Sequence, residues 1–247
     1  MVPATPPIEA YEELASTNLE ARRRAEAGDC GPVWIAARRQ TAGRGRRGRA
    51  WSTGEGNLAA TLLTPCAKPP AEAAQVSFVA ALAVHDLAET CLGPGAAALK
   101  WPNDLLVHGR KAAGVLVESG AIPGGGLWLA IGVGINLARH PTDTDPPATS
   151  FAEHMTAPAP EPLAARQLLA AAFERWRATW EAQGFAPVAR AWSARAHGLG
   201  GPCVARLADG VLEGTAEGLD DDGALRLRLG DGRLSRVTAG DVFFGAG

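Results

Sequence analysis

The sequence predicts an α+β protein in two parts, a mixture of strands and helices up to about residue 197 and a small all-β unit after it. Short apolar runs with strand character alternate with longer stretches of helical periodicity through the first part. Near residue 197 the chain changes character. From Gly198 to Phe244 it breaks into short alternating segments cut by Gly and Asp (CVARL, LEGTAEGL, ALRLRL, RLSRV, DVFF), the spacing of a small β-barrel or sandwich.

Residues 1–8 are Pro-rich and read as loose chain. A helix starts near Ser16-Thr17 and runs to about Ala27, stopped by Gly28, and Thr17 and Glu20 have the spacing of a capping box. VWIAA at 33–37 and NLAATLLT at 57–64 read as strands, with a polar Gly/Arg segment between them from Gln40 to about Gly56. After Pro69-Pro70, residues 71–91 carry one long helical pattern ending at Gly93. Residues 99–101, 105–108 and 113–118 read as strands, the last two turned around Gly109-Arg110, and LWLAIGVGINL at 127–137 as a further buried strand. The Pro-, Thr- and Asp-rich stretch 138–162 is a loop, and 163–183 and 186–196 are helices. In the first of these Phe173, Trp176 and Trp180 share one face at i, i+3 and i+7, the mark of core packing.

Composition excludes several function classes. With 247 residues, 47% hydrophobic and 20% charged, the chain suits one sizeable core plus a small partner. Its 24 basic against 26 acidic residues leave a net charge of -2, which argues against a whole-domain nucleic-acid binder. Only Lys68, Lys100 and Lys111 are lysines, so a lysine in a patterned segment stands out against the arginines. Cys30, Cys66, Cys91 and Cys203 lie far apart with no CxxC pair, which argues against a metal site or disulfide framework and fits a reducing cytoplasm. The start, MVPATPPIEAYEEL, lacks the basic and apolar regions of a signal peptide, and no stretch approaches the length of apolar chain a membrane helix needs.

Four segments can carry chemistry. Gly43-Arg44-Gly45-Arg46-Arg47-Gly48-Arg49 packs four arginines into seven residues and matches GxGxxG. A dinucleotide fold needs a helix directly after the glycines and an acidic residue about 20 positions on; here RAWSTGEGN follows and position 68 is lysine. The segment reads instead as a loop that stays mobile until an anion neutralises it, as a solvated charged loop, or as an RGG-like nucleic-acid contact. Lys111 follows a hairpin turn after Lys100-Trp101-Pro102-Asn103-Asp104 and is either a snorkelling edge residue or a cation set against a ligand. Gly132 and Gly134 bare one face of an apolar strand, where a ligand or another backbone comes close, and Asn136 follows as a turn residue or a partner for an adenine edge. Ser16-Thr17-Asn18 are good helix-start residues whose free N–H groups also suit polar ligand atoms.

Together these segments resemble the biotin protein ligase family. STN at 16–18, QTAGRGRRGR at 40–49, KWPND at 100–104, GRKAAGVLVE at 109–118 and GVGIN at 132–136 stand in the family's order, and GTAEGLDDDGALRLRL at 214–229 resembles its small C-terminal domain. The resemblance implies an α+β fold: a mixed β-sheet packed by helices as the biotin/lipoyl ligase-like catalytic domain, 1–197, with a small C-terminal SH3-like β-barrel, 198–247. It implies a two-step reaction. Biotin and MgATP give biotinyl-5′-AMP and pyrophosphate, and a lysine on a biotin carboxyl carrier domain of acetyl-CoA or a related carboxylase then takes the biotinyl group and releases AMP. Lys111 and Arg46 are the implied catalytic residues. Ser16, Thr17, Asn18, Gln40, Arg44, Gly45, Arg46 and Lys111 are implied at biotin, and Arg49, Trp51, Asn136 and Asp104 at the nucleotide, with no metal-ligating residue assigned. The chain begins almost at STN, leaving no room for the helix-turn-helix of bifunctional members, so a ligase without repressor activity or DNA is expected, away from membranes and with a homodimer open. Ala15 stands where many members carry Asp. The alternatives are lipoate or octanoate attachment and a nucleic-acid-binding module built on 43–49 and the β-rich unit.

Overall fold

The computed structural model describes residues 6–245, so the first five residues of the stretch read as loose lie outside the described residues. In chain order the elements are β1 (Ile8–Leu14), α1 (Thr17–Glu26), β2 (Val33–Gln40), β3 (Leu58–Cys66), α2 (Pro70–Ala73), α3 (Val76–Leu92), β4 (Ala97–Lys100), β5 (Asp104–Val107), β6 (Arg110–Ala121), β7 (Leu127–Ile135), α4 (Pro162–Gln183), α5 (Phe185–Ser193), β8 (Pro202–Arg206), β9 (Val211–Leu219), β10 (Leu225–Leu229), β11 (Leu234–Val237) and β12 (Asp241–Phe244).

Three local readings are corrected. Ile8 opens β1, an acidic and largely exposed edge strand whose sequence, IEAYEEL, carries too little apolar alternation to announce itself. The helix expected over 71–91 is two helices, with Ala74-Gln75 between them and the Gln75 amide oxygen accepting the Trp180 indole N–H at 3.0 Å. The capping box does not form. Ser16 rather than Thr17 is the N-cap residue, and Glu20 turns to Arg23 and Arg24.

Strands β1 to β7 form one sheet in the order β1-β2-β3-β7-β6-β5-β4. The β1–β2 pair is parallel and the other pairs antiparallel, so the sheet is mixed. Period-two alternation sorts its side chains between two layers. Trp34, Leu62, Leu129, Ile131 and Val133 join the main core with α3, α4 and α5. Ile35, Leu63, Trp128 and Ala130 face the other way, onto Ala21 and Ala25 of α1. Helix α3 is buried almost all round, and its alanines at 80, 81, 83 and 88 let it lie close between the sheet and α4. The expected aromatic stripe of α4 is in place: Phe173 and Trp180 are buried, and Trp176 is half-buried with its indole N–H on Asp86.

Strands β8 to β12 form a separate antiparallel sheet, β11-β10-β9-β8-β12. Among the described residues its edge strands β11 and β12 do not pair, so the sheet is open rather than a closed barrel. The chain reaches it along β4, with Leu99 N–H donating to Arg195 O and His197 N–H to Leu99 O. Trp101, in the turn after β4, is buried and donates its indole N–H to Gly223 O at 3.1 Å. Gly223 has φ +92°, and a Cβ there would stand 2.5 Å from Phe78, so this junction requires glycine. No helix of the described residues is long and apolar enough to cross a membrane.

Trp34 joins the sheet to α4 by an edge-on contact with Phe173 at 6.3 Å, yet its indole N–H is buried without a partner. Trp34→Ala is expected to cost about 3–5 kcal/mol of stability in urea unfolding. Trp34→Phe, which keeps an aromatic ring against Phe173 and removes the unpaired donor but vacates part of the indole's space, should cost less than Trp34→Ala. Equal losses for the two variants would show that packing is not what Trp34 supplies.

Candidate active site

A cavity of about 440 Å³ lies on the α1 side of the mixed sheet. Its floor is bare because Gly114, Gly132 and Gly134 occupy the positions on β6 and β7 that point toward it. The bared strand was expected to receive a ligand or another backbone; two side chains approach it beside the cavity. A Cβ on Gly134 would lie 2.4 Å from the Trp51 ring, and one on Gly132 would lie 2.0 Å from Asn18 Oδ1.

The arginine segment closes over this floor as a short hairpin-like loop. Gly45 N–H donates to Arg49 O at 2.7 Å and Trp51 N–H to Gly43 O at 2.9 Å. The tip turns through Arg47 and Gly48, both at positive φ, and a Cβ on Gly43 would meet Trp51 O at 2.3 Å. The glycines therefore make the turn possible and keep the loop close-packed. Three of the segment's four positive charges, Arg46, Arg47 and Arg49, are set against acceptors rather than left facing one another. Arg47 and Arg49 pair with Asp241 of β12 at 3.1 and 2.6 Å. Arg46 is half-buried, donating to Asn103 Oδ1 at 3.1 Å and Gly240 O at 3.3 Å. Burial pushes the Arg46 guanidinium below its ordinary value, against the pull of Asp241 and Asp104. Burial would raise the Asp241 carboxyl, but the Arg49 hydrogen bond and the surrounding arginines hold it below its ordinary value.

Lys111 points into the same space. Its Nζ lies 2.6 Å from Asp104 Oδ1 and 5.7 Å from the centre of the Trp51 ring. Lys100 also borders the cavity, 5.5 Å from the Phe243 ring, and burial lowers its pKa, with Asp104 opposing. At the other end Thr17 and Gln40 form the wall. Gln40 Oε1 accepts the Thr17 backbone N–H at 2.8 Å, and Gln40 Nε2 donates to Thr53 at 2.9 Å.

The structure thus brings Thr17, Gln40, Arg44, Gly45, Arg46, Arg49, Trp51, Asp104, Lys111 and Asn136 to one cavity. Ser16 and Asn18 do not border it; both are buried behind Thr17. Asn136 is buried, with one amide N–H already given to Thr149 O at 3.0 Å. Lys100 and Asn103, which stand in the KWPND segment but were given no role of their own, also border the cavity, as do Asp241 and Phe243, which nothing local marked.

Residues 141–148 cover the far end, Pro141, Asp143, Thr144, Asp145, Pro146 and Ala148 all bordering the cavity. Glu153 clamps the base of this loop: His140 Nε2 lies 2.6 Å from Oε1, the Thr149 hydroxyl donates to Oε2 at 2.7 Å, and Arg110 pairs at 3.0 Å. The Thr149 and His140 hydrogen bonds hold the Glu153 carboxyl down to about 2. The Pro141 carbonyl and then Glu153 raise the His140 imidazole above its ordinary value.

Residues 16–136 match the model of the biotin/lipoate A/B protein ligase family, and residues 198–245 match that of the biotin protein ligase C-terminal domain. A biotin--[acetyl-CoA-carboxylase] ligase of Paracoccus denitrificans is 45% identical over 237 residues, covering 93% of this chain and 97% of the relative. The bifunctional ligase/repressor BirA of Bacillus subtilis is 30% identical, covering 95% of this chain and 73% of the relative. The biotin protein ligase of Aquifex aeolicus in complex with biotin and ATP superposes with a TM-score of 0.82 at 22% identity, over 96% of this chain and 99% of that one. The Leishmania major enzyme in complex with biotinyl-5-AMP gives 0.67 at 26%, over 96% and 100%.

Two outcomes follow from this geometry. Asp241→Asn should speed tryptic cleavage within 44–49 about 3- to 10-fold, since two partly exposed ion pairs hold the loop by about 0.2–1 kcal/mol each; an unchanged rate would remove Asp241 as its holder. The second concerns pH. Glu153, lowered by folding, stabilises above its ordinary pKa and loses this as pH falls toward about 2. His140, raised by folding, stabilises fully below its ordinary pKa and loses this as pH rises through its folded value. The difference in Tm between wild type and His140→Gln should therefore be largest at about pH 5–6 and shrink toward pH 8.5. A difference independent of pH would show that the clamp carries no charge on His140.

Proposed function

This chain belongs to the biotin protein ligase family, and from that premise we propose that it activates biotin with ATP and transfers the biotinyl group to a lysine of a biotin carboxyl carrier domain of acetyl-CoA carboxylase. The observation that carries the reading is one cavity walled by Lys111, Trp51, Gln40 and a loop of four arginines. The 45% identical biotin--[acetyl-CoA-carboxylase] ligase and the matched C-terminal domain favour biotin over lipoate or octanoate. The net charge of -2, with the Asp241 carboxylate set against Arg47 and Arg49, disfavours the nucleic-acid reading.

The reaction sets the chemical demand. A biotin carboxylate oxygen attacks the α-phosphorus of ATP; the bond to the β-phosphate oxygen breaks and pyrophosphate leaves with its electrons. Two anions must approach each other, which requires fixed positive charge. Lys111 and Arg46 are the groups proposed to supply it. Asp104, 2.6 Å from Lys111, holds the ammonium in place while the site is empty of anions. Thr17 and Gln40 offer hydrogen-bonding groups to the ureido ring, and Arg44 and Gly45 line the same loop beside it. Trp51, packed on the bare Gly134, offers a flat face to the adenylate, and Arg49 and Asn136 lie toward the nucleotide end. Ser16 and Asn18 are buried outside the cavity lining, and Asn18 reaches Thr17 through Thr61, which hydrogen-bonds to both. Mg²⁺ enters with ATP and needs only one or two protein carboxylates; Asp143 and Asp145 border the cavity and are of the right chemistry. In the second step the carrier lysine amine attacks the acyl carbon, the bond to AMP oxygen breaks, and the amine loses a proton. The closed arginine loop keeps water from the mixed anhydride until then.

We place the division between the catalytic and C-terminal units near residue 197. Four free cysteines fit a reducing, cytoplasmic setting. The test is biotin-dependent exchange of pyrophosphate into ATP by the pure protein, followed by labelling of a carrier domain; no exchange would overturn the assignment, and lipoate competing as well as biotin would reassign the substrate. Lys111→Ala should lower the exchange rate about 10²–10³-fold. Arg46→Gly should still form biotinyl-AMP but release it into solution, and retention equal to wild type would remove Arg46 from the lid.

A further inference from the structure

The buried end of the cavity holds a chain of hydrogen bonds whose direction can be worked out. Thr61, on β3, is fully buried, with Oγ1 2.7 Å from Asn18 Oδ1 and 2.8 Å from Thr17 Oγ1. A hydroxyl has one proton and can donate to only one of these. The Asn18 amide decides which. Its Nδ2 lies 2.8 Å from Glu118 Oε2 and 3.3 Å from Leu116 O, and a carboxylate and a backbone carbonyl both accept. The NH2 therefore faces β6 and the Asn18 carbonyl oxygen faces Thr61. Asn18 is 4% exposed, and a buried carbonyl oxygen needs a donor. The Thr61 proton meets that need, which leaves the Thr61 oxygen to accept from the Thr17 hydroxyl. Gln40 Oε1, which also takes the Thr17 backbone N–H, is a second acceptor within reach of the Thr17 hydroxyl, but at 3.2 Å against 2.8 Å it is the weaker one, so the shorter bond to Thr61 is preferred. Gly132 makes the arrangement possible, since a Cβ there would stand 2.0 Å from Asn18 Oδ1.

We propose that Thr61 is a positioning and specificity-determining residue that takes up the Thr17 hydroxyl proton, so that Thr17 meets the ligand as a hydrogen-bond acceptor. Thr17 borders the cavity, so an oxygen with its proton turned inward selects a ligand group that donates. This inference rests on the biotin reading: the donor is then one of the two ureido N–H groups. An isosteric cyclic carbamate, with ring oxygen in place of that N–H, would set two lone pairs against each other, a mismatch that a buried polar site rejects strongly.

The experiment measures Kd by calorimetry for biotin and for its two cyclic-carbamate isosteres, each lacking a different N–H. The wild-type protein should bind one isostere at least about 30-fold more weakly than biotin. Thr61→Val, close in shape, frees the Thr17 proton to be donated to a ring oxygen, and the discrimination against that isostere should fall to within about 3-fold. Thr61→Ser, which restores the hydroxyl, should restore the discrimination. Thr61→Ala provides the same readout if Thr61→Val does not fold. A Thr61→Val protein that weakens biotin and isostere by the same factor, or that discriminates as the wild type does, overturns the relay while leaving the biotin assignment standing. Wild-type protein that binds no biotin overturns that assignment and the relay with it.

Discussion

The site depends on side chains that are missing. Where α1 ends, the mixed sheet would normally bury its second face under more apolar side chains. Gly114, Gly132 and Gly134 leave that stretch bare, and the space is divided between the Asn18 amide, the Trp51 ring and the cavity itself. A methyl group on either β7 glycine would collide with a side chain that shapes the site. The apolar half of each strand still packs on α3 and α4, so the same residues that hold the core together fix the height of the floor.

On that floor, positive charge arrives already partnered. Lys111 meets Asp104, Arg47 and Arg49 meet Asp241, and Arg46 meets neutral oxygens of Asn103 and Gly240. A row of arginines without such partners would repel itself open. Asp241 opens β12 of the C-terminal sheet and Gly240 immediately precedes it, so that unit is part of the wall. It is held to the catalytic unit by the Trp101–Gly223 hydrogen bond and by the 195–197 segment running along β4.

The sequence was legible where chemistry is local. The alternation of glycines in GVGIN announced a close approach, although the groups approaching proved to be side chains from α1 and the arginine loop. The clustered arginines and glycines announced a loop, and the turn at Gly109-Arg110 placed Lys111 at a strand start. It was illegible where the partner lies far along the chain. Asp241 is 192 residues from Arg49, and no pattern in DVFF singles it out. β1 was missed because an exposed edge strand paired on one side needs little apolar alternation. The capping-box spacing misled because Thr17 spends its hydroxyl on the tertiary network rather than on its own helix, a case of tertiary contacts overriding a local preference.

The strength of these internal ion pairs matters as much as their presence. Arg47 and Arg49 are 43% and 57% exposed and Asp241 is 30% exposed. Pairs this wet are worth little in water, about 0.2–1 kcal/mol each. A triphosphate carries several charges and many more acceptor oxygens than one carboxylate, so under the proposed reaction it would compete well with Asp241 for the same guanidinium groups. Had the loop been tied down by a buried pair, removing its partner would cost about 3–5 kcal/mol, and substrate binding would be spent on opening the lid. Half-exposed pairs thus leave Arg47 and Arg49 free to exchange Asp241 for a stronger anion at small cost, and Arg46, the most deeply set of the four, contacts only neutral groups and has no carboxylate to give up.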